Sequence, residues 1–206
     1  MTQPDKPSAL LLDLGNVVIH TDARRVFAAW AASAGVDQQV FLDRWRADEA
    51  YARHEIGELR FQDYVLHMQS MTGVTMSQRD WKAGWNELFV ALYPRVLTLL
   101  RRLAGKYPLY AFTNTNPTHE HSWRSRYPEL DVFEHVFVSS RIGRRKPHVD
   151  AYHYVCKRMQ QQPDKVWFLD DNRANVEGAC QAGLKTFRIR SEQDVVDILS
   201  PLLAFS

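Results

Sequence analysis

Four short segments of this 206-residue chain carry side chains suited to chemistry: Asp13, the pair Thr113-Asn114, Lys146, and the pair Asp170-Asp171. Two carboxylates brought together from separate segments repel each other unless a cation lies between them. Hard oxygen ligands with room for water favour Mg²⁺. A phosphate monoester is itself an anion, so a carboxylate nucleophile needs a divalent ion and an ammonium group to lower the repulsion. Lys146 offers that ammonium group, and the Thr113 hydroxyl and Asn114 amide offer further donors to a phosphoryl group. Each residue also has a plainer reading. Asp13 suits a turn or a helix cap, and Lys146, in Arg144-Arg145-Lys146-Pro147, suits an exposed basic turn. Thr115 and Asn116 read as turn residues rather than ligands.

Apolar runs are needed to position these segments, and the chain has them. Ala9–Leu12 stops at Asp13, Lys106–Phe112 at Thr113, His135–Val138 at Ser139-Ser140, and Val166–Leu169 at Asp170; Thr186–Ile189, interrupted by Arg188, reads as a fifth strand. Unbroken apolar runs, rather than alternating ones, predict strands covered on both faces, hence a parallel sheet with crossover helices. In such sheets ligands bind beyond the carboxyl ends of the strands, where the chemistry-bearing residues lie. Helices are predicted over Pro94–Leu103, Val149–Met159 and Ala174–Ala182. Between Ala23 and Val90 no strand is predicted. Four helices are: Ala23–Ala34, Val40–His54, Phe61–Met71 and Gln78–Val90, the last capped by Ser77 with Asp80 three residues on. The expected fold is α/β: a Rossmann-like parallel-sheet core from residues 1–19 and 94–206, with a helical cap subdomain, 20–93, inserted after the first strand.

Composition narrows the function. Lys plus Arg total 26 and Asp plus Glu 24, and a net charge of +2 is too small to argue for nucleic acid. No apolar stretch approaches the roughly 18 residues of a membrane span. The first residues lack a basic region followed by an apolar one, and Cys156 and Cys180 do not make a disulfide framework, so a cytoplasmic protein is expected. The expected partner is a small phosphorylated metabolite, with no nucleic acid and no membrane, and the expected state a monomer or homodimer. His119-Glu120-His121 lacks the zincin spacing of histidines four apart and reads as a solvated loop or substrate-entry contact. His54 and Glu55 are candidate substrate contacts. Trp30, Trp45, Trp81, Trp85 and Trp123 read as packing residues, and Cys180, among Val176, Ala179 and Ala182, as part of a buried helix face.

Taken in order, Asp13-Leu14-Gly15-Asn16-Val17, Thr113-Asn114-Thr115-Asn116, Arg145-Lys146-Pro147 and Asp170-Asp171-Asn172-x-x-Asn175 resemble the four motifs of the haloacid dehalogenase superfamily. Phe89-Val90-Ala91-Leu92-x-Pro94 and Glu177-Gly178-Ala179 are similar to its bacterial α-D-glucose-1-phosphate phosphatase group, and to the related phosphatase domain of soluble epoxide hydrolase. The resemblance spans nearly the whole chain. It implies the superfamily fold and a Mg²⁺-dependent phosphatase acting on a small phosphomonoester such as a sugar 1-phosphate. It implies Asp13 as the nucleophile that forms an aspartyl-phosphate. It implies Asp13, Asp171 and the Gly15 backbone carbonyl as Mg²⁺ ligands, supported by Asp170 and Asn175. Thr113, Asn114 and Lys146 would hold the phosphoryl group, and the cap would close over it.

Gly15 departs from the superfamily pattern, in which most phosphatases carry an aspartate two residues after the nucleophile as general acid/base. An anomeric leaving oxygen is less basic than an alkoxide and needs a proton less, which fits a sugar 1-phosphate. His20 stands where relatives often carry an aspartate. Two other readings stay open: a 2-haloacid dehalogenase-type hydrolase using the same Asp13, and a non-catalytic phospholigand-binding protein, the latter motivated by Gly15.

Overall fold

The computed structural model describes residues 6–204. In chain order its strands are Ala9–Leu12 (β1), Ile19–Thr21 (β2), Phe89–Leu92 (β3), Leu109–Thr113 (β4), His135–Val138 (β5), Val166–Asp170 (β6) and Lys185–Arg188 (β7). Its α-helices are Ala23–Ala34 (α1), Gln39–Arg44 (α2), Glu49–Glu55 (α3), Phe61–Thr72 (α4), Gln78–Trp85 (α5), Pro94–Leu103 (α6), Pro117–Arg126 (α7), Ser139–Ile142 (α8), Val149–Met159 (α9), Arg173–Gln181 (α10) and Glu192–Leu199 (α11).

All four residues of β1 are fully buried, as a strand without a polar position must be. Successive side chains point to opposite faces. Leu10 and Leu12 therefore pack with Val96, Leu100 and Leu103 of α6 and with Val195 of α11. Ala9 and Leu11 pack with Tyr152 and Val155 of α9 and Ala179 of α10. The sheet order is β5-β4-β1-β6-β7, parallel throughout, with Leu10 in register with Leu109 on one side and Trp167 on the other. This is the α/β, Rossmann-like architecture expected. No helix among the described residues is long and apolar enough to cross a membrane.

The inserted helices α1–α5 bury an apolar cluster of their own. Trp30 and Trp81 are fully buried at its centre, with ring centroids 4.7 Å apart, and Trp85 stacks on Trp30 at 5.4 Å. The Trp30 indole N–H donates to the Trp81 carbonyl at 2.9 Å, so the ring is buried without losing its hydrogen bond. Trp123 packs in the sheet layer instead.

Several boundaries differ from expectation for local reasons. The helix expected over Val40–His54 is two helices, because the Asp48 side chain accepts from the Tyr51 N–H and starts α3 anew. The helix expected over Gln78–Val90 begins at its Ser77 cap as read, but ends at Trp85. Phe89–Leu92 then pairs antiparallel with Ile19–Thr21, so a strand exists where none was predicted. Its partner lies some 70 residues away, beyond the reach of any local pattern. Helices α7, α8 and α11 were not anticipated. Asn116, read with Thr115 as a turn residue, is the N-cap of α7, and Pro117 is its first residue. Cys180 is exposed, contrary to the buried face expected, because α10 turns Ala179 toward the sheet instead.

Candidate active site

The neighbours of β1 in the sheet are β4 and β6, so the residues that end these three strands meet at one edge. Asp13 follows β1, Thr113 ends β4 and Asp170 ends β6. Lys146 enters from the segment before α9 and is almost wholly buried. Its Nζ lies 2.8 Å from Asp13 Oδ1 and 2.6 Å from Asp170 Oδ2. An ammonium buried this completely is tolerable only because two carboxylates share it.

Each neighbour of that trio has a definable task. Asn114 Nδ2 donates to the Lys146 carbonyl at 2.8 Å and its Oδ1 accepts from the Lys146 N–H at 2.9 Å, so the Asn114 amide anchors the backbone that carries the lysine. Asp170 accepts from the Asn172 N–H at 2.8 Å and from Asn175 Nδ2 at 3.1 Å on both oxygens. With Lys146 added, its carboxylate is saturated. Asp171 is more open and accepts from Asn16 Nδ2 at 3.1 Å. Asn16 sits in the left-handed region at φ 53°, which asparagine tolerates better than most residues, and its Oδ1 accepts from both the N–H and the hydroxyl of Thr21.

Asp13, Asp170 and Asp171 each present an oxygen within 4.8 Å of the others. Burial and the two neighbouring carboxylates push Asp13 up to about 7, against the pull of Lys146. Burial also raises Asp171. For Lys146 burial acts downward, but Asp13 and Asp170 outweigh it and hold the ammonium above its ordinary range. Crowded carboxylates whose charge is disfavoured are hard oxygen donors in want of a cation, and this donor set suits Mg²⁺. The adjoining cavity has a volume of about 210 Å³ and is lined by Asp13, Gly15, Thr113, Asn114, Asp171 and Asn175, with Lys146 at its base. Asp170 stands behind it.

The other expectations resolve differently. His119-Glu120-His121 is a turn of α7, not a solvated loop, and His119 lines the cavity. His119 and Glu120 are buried; Glu120 is bound by Arg124 at 2.8 Å and Arg141 at 2.7 Å. His119 Nε2–H donates to the Trp85 carbonyl at 2.9 Å, Nδ1 faces the Asn116 amide at 3.3 Å, and burial takes its pKa down to about 3. His54 is buried against the Leu59 carbonyl at 2.7 Å, outside the cavity lining. Glu55 is buried and pairs with Arg145 at 2.7 Å. The His20 ring stacks on Tyr93, with centroids 5.8 Å apart.

The roles of three positions went unread in the sequence. Asn16 orients Asp171, and its signal was an asparagine following Gly15. Tyr51 lines the cavity from α3, one turn before Glu55. A Cβ at Gly178 would collide with the Pro147 carbonyl, so glycine lets α10 press against the Lys146–Pro147 segment. A lone glycine inside a predicted helix was its signal.

A family model described as haloacid dehalogenase-like hydrolase matches residues 7–183. The chain is 22% identical over 192 residues to a D-ribitol-5-phosphate phosphatase of Bacteroides thetaiotaomicron, covering 90% of this chain and 93% of that one. It is 29% identical over 139 residues to a sesquiterpene phosphatase of Aspergillus oryzae, covering 66% and 70%. Among solved structures, a haloacid dehalogenase family enzyme of Bacteroides thetaiotaomicron, complexed with magnesium and inorganic phosphate, superposes with a TM-score of 0.77 at 25% identity, covering 90% of this chain and 95% of that one.

Proposed function

The chain belongs to the haloacid dehalogenase-like hydrolases, and from that premise we propose that it hydrolyses a small phosphomonoester of the sugar- or polyol-phosphate kind, with Asp13 as nucleophile. The observation that carries this reading is the buried Lys146 ammonium shared between Asp13 and Asp170, beside a cavity that Asp171 also faces. The polyol phosphate named for the Bacteroides relative supports the substrate class, and the magnesium and phosphate held by its structural neighbour support the cofactor.

Lys146 offsets charge at Asp13 Oδ1 and remains available to the phosphoryl oxygens as they approach. The Asp13 carboxylate attacks phosphorus, the bond to the leaving oxygen breaks, that oxygen takes a proton from solvent, and the phosphoryl group rests on Asp13. Water then cleaves that acyl phosphate, releasing inorganic phosphate and returning a proton to solvent, and regenerates the carboxylate. The Thr113 hydroxyl offers a further donor to the phosphoryl group, while Asn114 and Asp170 hold Lys146 in place. A Mg²⁺ ion held by Asp13, Asp171 and the Gly15 carbonyl would supply positive charge between nucleophile and phosphoryl group. Asn16, Asp170 and Asn175 support those ligands. Residues 20–93 serve as a cap that limits water and selects the leaving group.

Attack on carbon by the same Asp13 would leave the Asp13–Asp171 pair without a task. Phosphate release from ribitol 5-phosphate, glucose 1-phosphate and p-nitrophenyl phosphate, with Mg²⁺, tests the proposal against both alternatives. Release is expected from the wild-type protein and is lost in Asp13→Asn and in EDTA. Halide release from a 2-haloacid that survives EDTA would establish the dehalogenase reading. Tight binding of a phosphate mimic with no turnover of any ester would establish a binder.

A further inference from the structure

The cavity beside Asp13 has two kinds of wall. Around Asp13 and Lys146 it is charged and polar; away from them it is closed by Ile19, Leu88, Phe89 and Trp123. Apolar walls leave the hydroxyls of a polyol without partners, which is costly in a desolvated site. Among the described residues, Tyr51 is the only polar side chain that helices α1–α5 contribute to this cavity. Several of the polar groups nearby are already engaged. The Thr21 hydroxyl donates to Asn16, His119 has partners at both ring nitrogens, and the Asn114 amide is bound to the Lys146 backbone.

Tyr51 is held in a defined orientation. Its ring stands edge-on to Trp45 at 5.5 Å and to Trp85 at 6.2 Å. Glu55, one helical turn on, is buried and paired with Arg145 at 2.7 Å. A phenolic hydroxyl both donates and accepts, so Tyr51 offers the cavity a partner for a substrate hydroxyl.

Resting on the phosphatase reading, we propose that Tyr51 is a specificity-determining residue: its phenolic hydroxyl, held at the cavity wall by the Trp45 and Trp85 rings, hydrogen-bonds a substrate hydroxyl close to the phosphoester. The preferred substrates are then phosphate esters of polyols or sugars with such a hydroxyl, and simple alkyl esters are discriminated against.

The test compares three esters of equal length in the Mg²⁺-loaded protein: propane-1,2-diol 1-phosphate, its 2-fluoro analogue and n-propyl phosphate. Organic fluorine cannot donate and accepts only weakly. The wild-type kcat/KM is expected to favour the diol ester about tenfold over both others, roughly one hydrogen bond to a desolvated partner, carried mainly by KM. In Tyr51→Phe the diol-to-propyl ratio is expected to fall to near one. No diol preference in the wild type, a fluoro ester as good as the diol ester, or a diol preference that survives Tyr51→Phe would each overturn the proposal. If Tyr51→Phe does not fold, the wild-type comparison of the diol and fluoro esters still decides. Failure to release phosphate from any ester, p-nitrophenyl phosphate included, would instead overturn the phosphatase reading on which the proposal rests.

Discussion

Restoring an acid at Gly15 tests the logic of this site most directly. The residue does not occupy the left-handed region, and a Cβ built there meets nothing closer than 3.9 Å, the distance to Asp13 Oδ2 and to Thr21 Oγ1. Gly15→Asp is therefore sterically permitted. The new carboxyl group joins a site in which burial, and after it the neighbouring acids, already push Asp13 up to about 7. The same crowding favours its protonated form near neutral pH, the form a general acid must have. Positioned proton transfer contributes typically about two to four orders of magnitude where the leaving oxygen is strongly basic, and little where it is not. The kcat of n-propyl phosphate relative to p-nitrophenyl phosphate is thus expected to rise at least about 100-fold, with glucose 1-phosphate between them. The assay is steady-state phosphate release from the three esters at saturating Mg²⁺ over pH 5.5 to 8. The alkyl-ester gain should shrink as pH rises and the new acid ionises. An equal factor on all three esters, or no alkyl gain in a variant whose melting curve shows it folded, would refute the reasoning.

Three further outcomes are expected. Mg²⁺ at about 100 times its Kd should stabilise the folded chain by about 2.7 kcal/mol, raising Tm by roughly 5–10 °C; Asp171→Asn should lose most of that rise, and an undiminished rise would remove Asp171 from the ion's ligands. His119 has a folded pKa of about 3 against an ordinary 6.5, so below 6.5 the unfolded chain binds a proton that the folded one does not. Stability present above pH 6.5 should therefore fall with acidification, by about 2 kcal/mol between pH 6.5 and 5, and urea titrations of His119→Gln should show that slope removed. Gly178→Ala should cost about 1–3 kcal/mol and lower kcat, because the added methyl displaces the Pro147 carbonyl and with it Lys146; a variant as stable and active as the wild type would show that the two segments separate freely.

Much of this protein was legible in one dimension because the relevant physics is local. Ala9–Leu12, Val166–Leu169 and the run before Thr113 are apolar without a break, and only a strand covered on both faces accommodates that. A parallel sheet then sends Asp13, Thr113 and Asp170 to one edge. The Ser77 cap and the Pro94 start of α6 were equally local, each set by the hydrogen bonding of a single turn. Where local signals compete, the reading failed. Val40–His54 has continuous helical character, but Asp48 captures the Tyr51 N–H and restarts the helix. Phe89–Leu92 could not be recognised as a strand without its distant partner Ile19–Thr21.

The sequence by itself determined the strands of the parallel sheet and which acids, amides and lysine stand at their ends. Only the tertiary structure decided how those groups divide the work. It saturates Asp170 with Lys146, Asn172 and Asn175 while leaving Asp171 facing the cavity, and it turns the Asn114 amide onto the lysine backbone. It also brings Tyr51 into the same cavity from a helix far away in the chain. The reason is physical: propensity and capping act over a few residues, whereas burial, charge pairing and hydrogen-bond saturation depend on neighbours that meet only once the chain has folded.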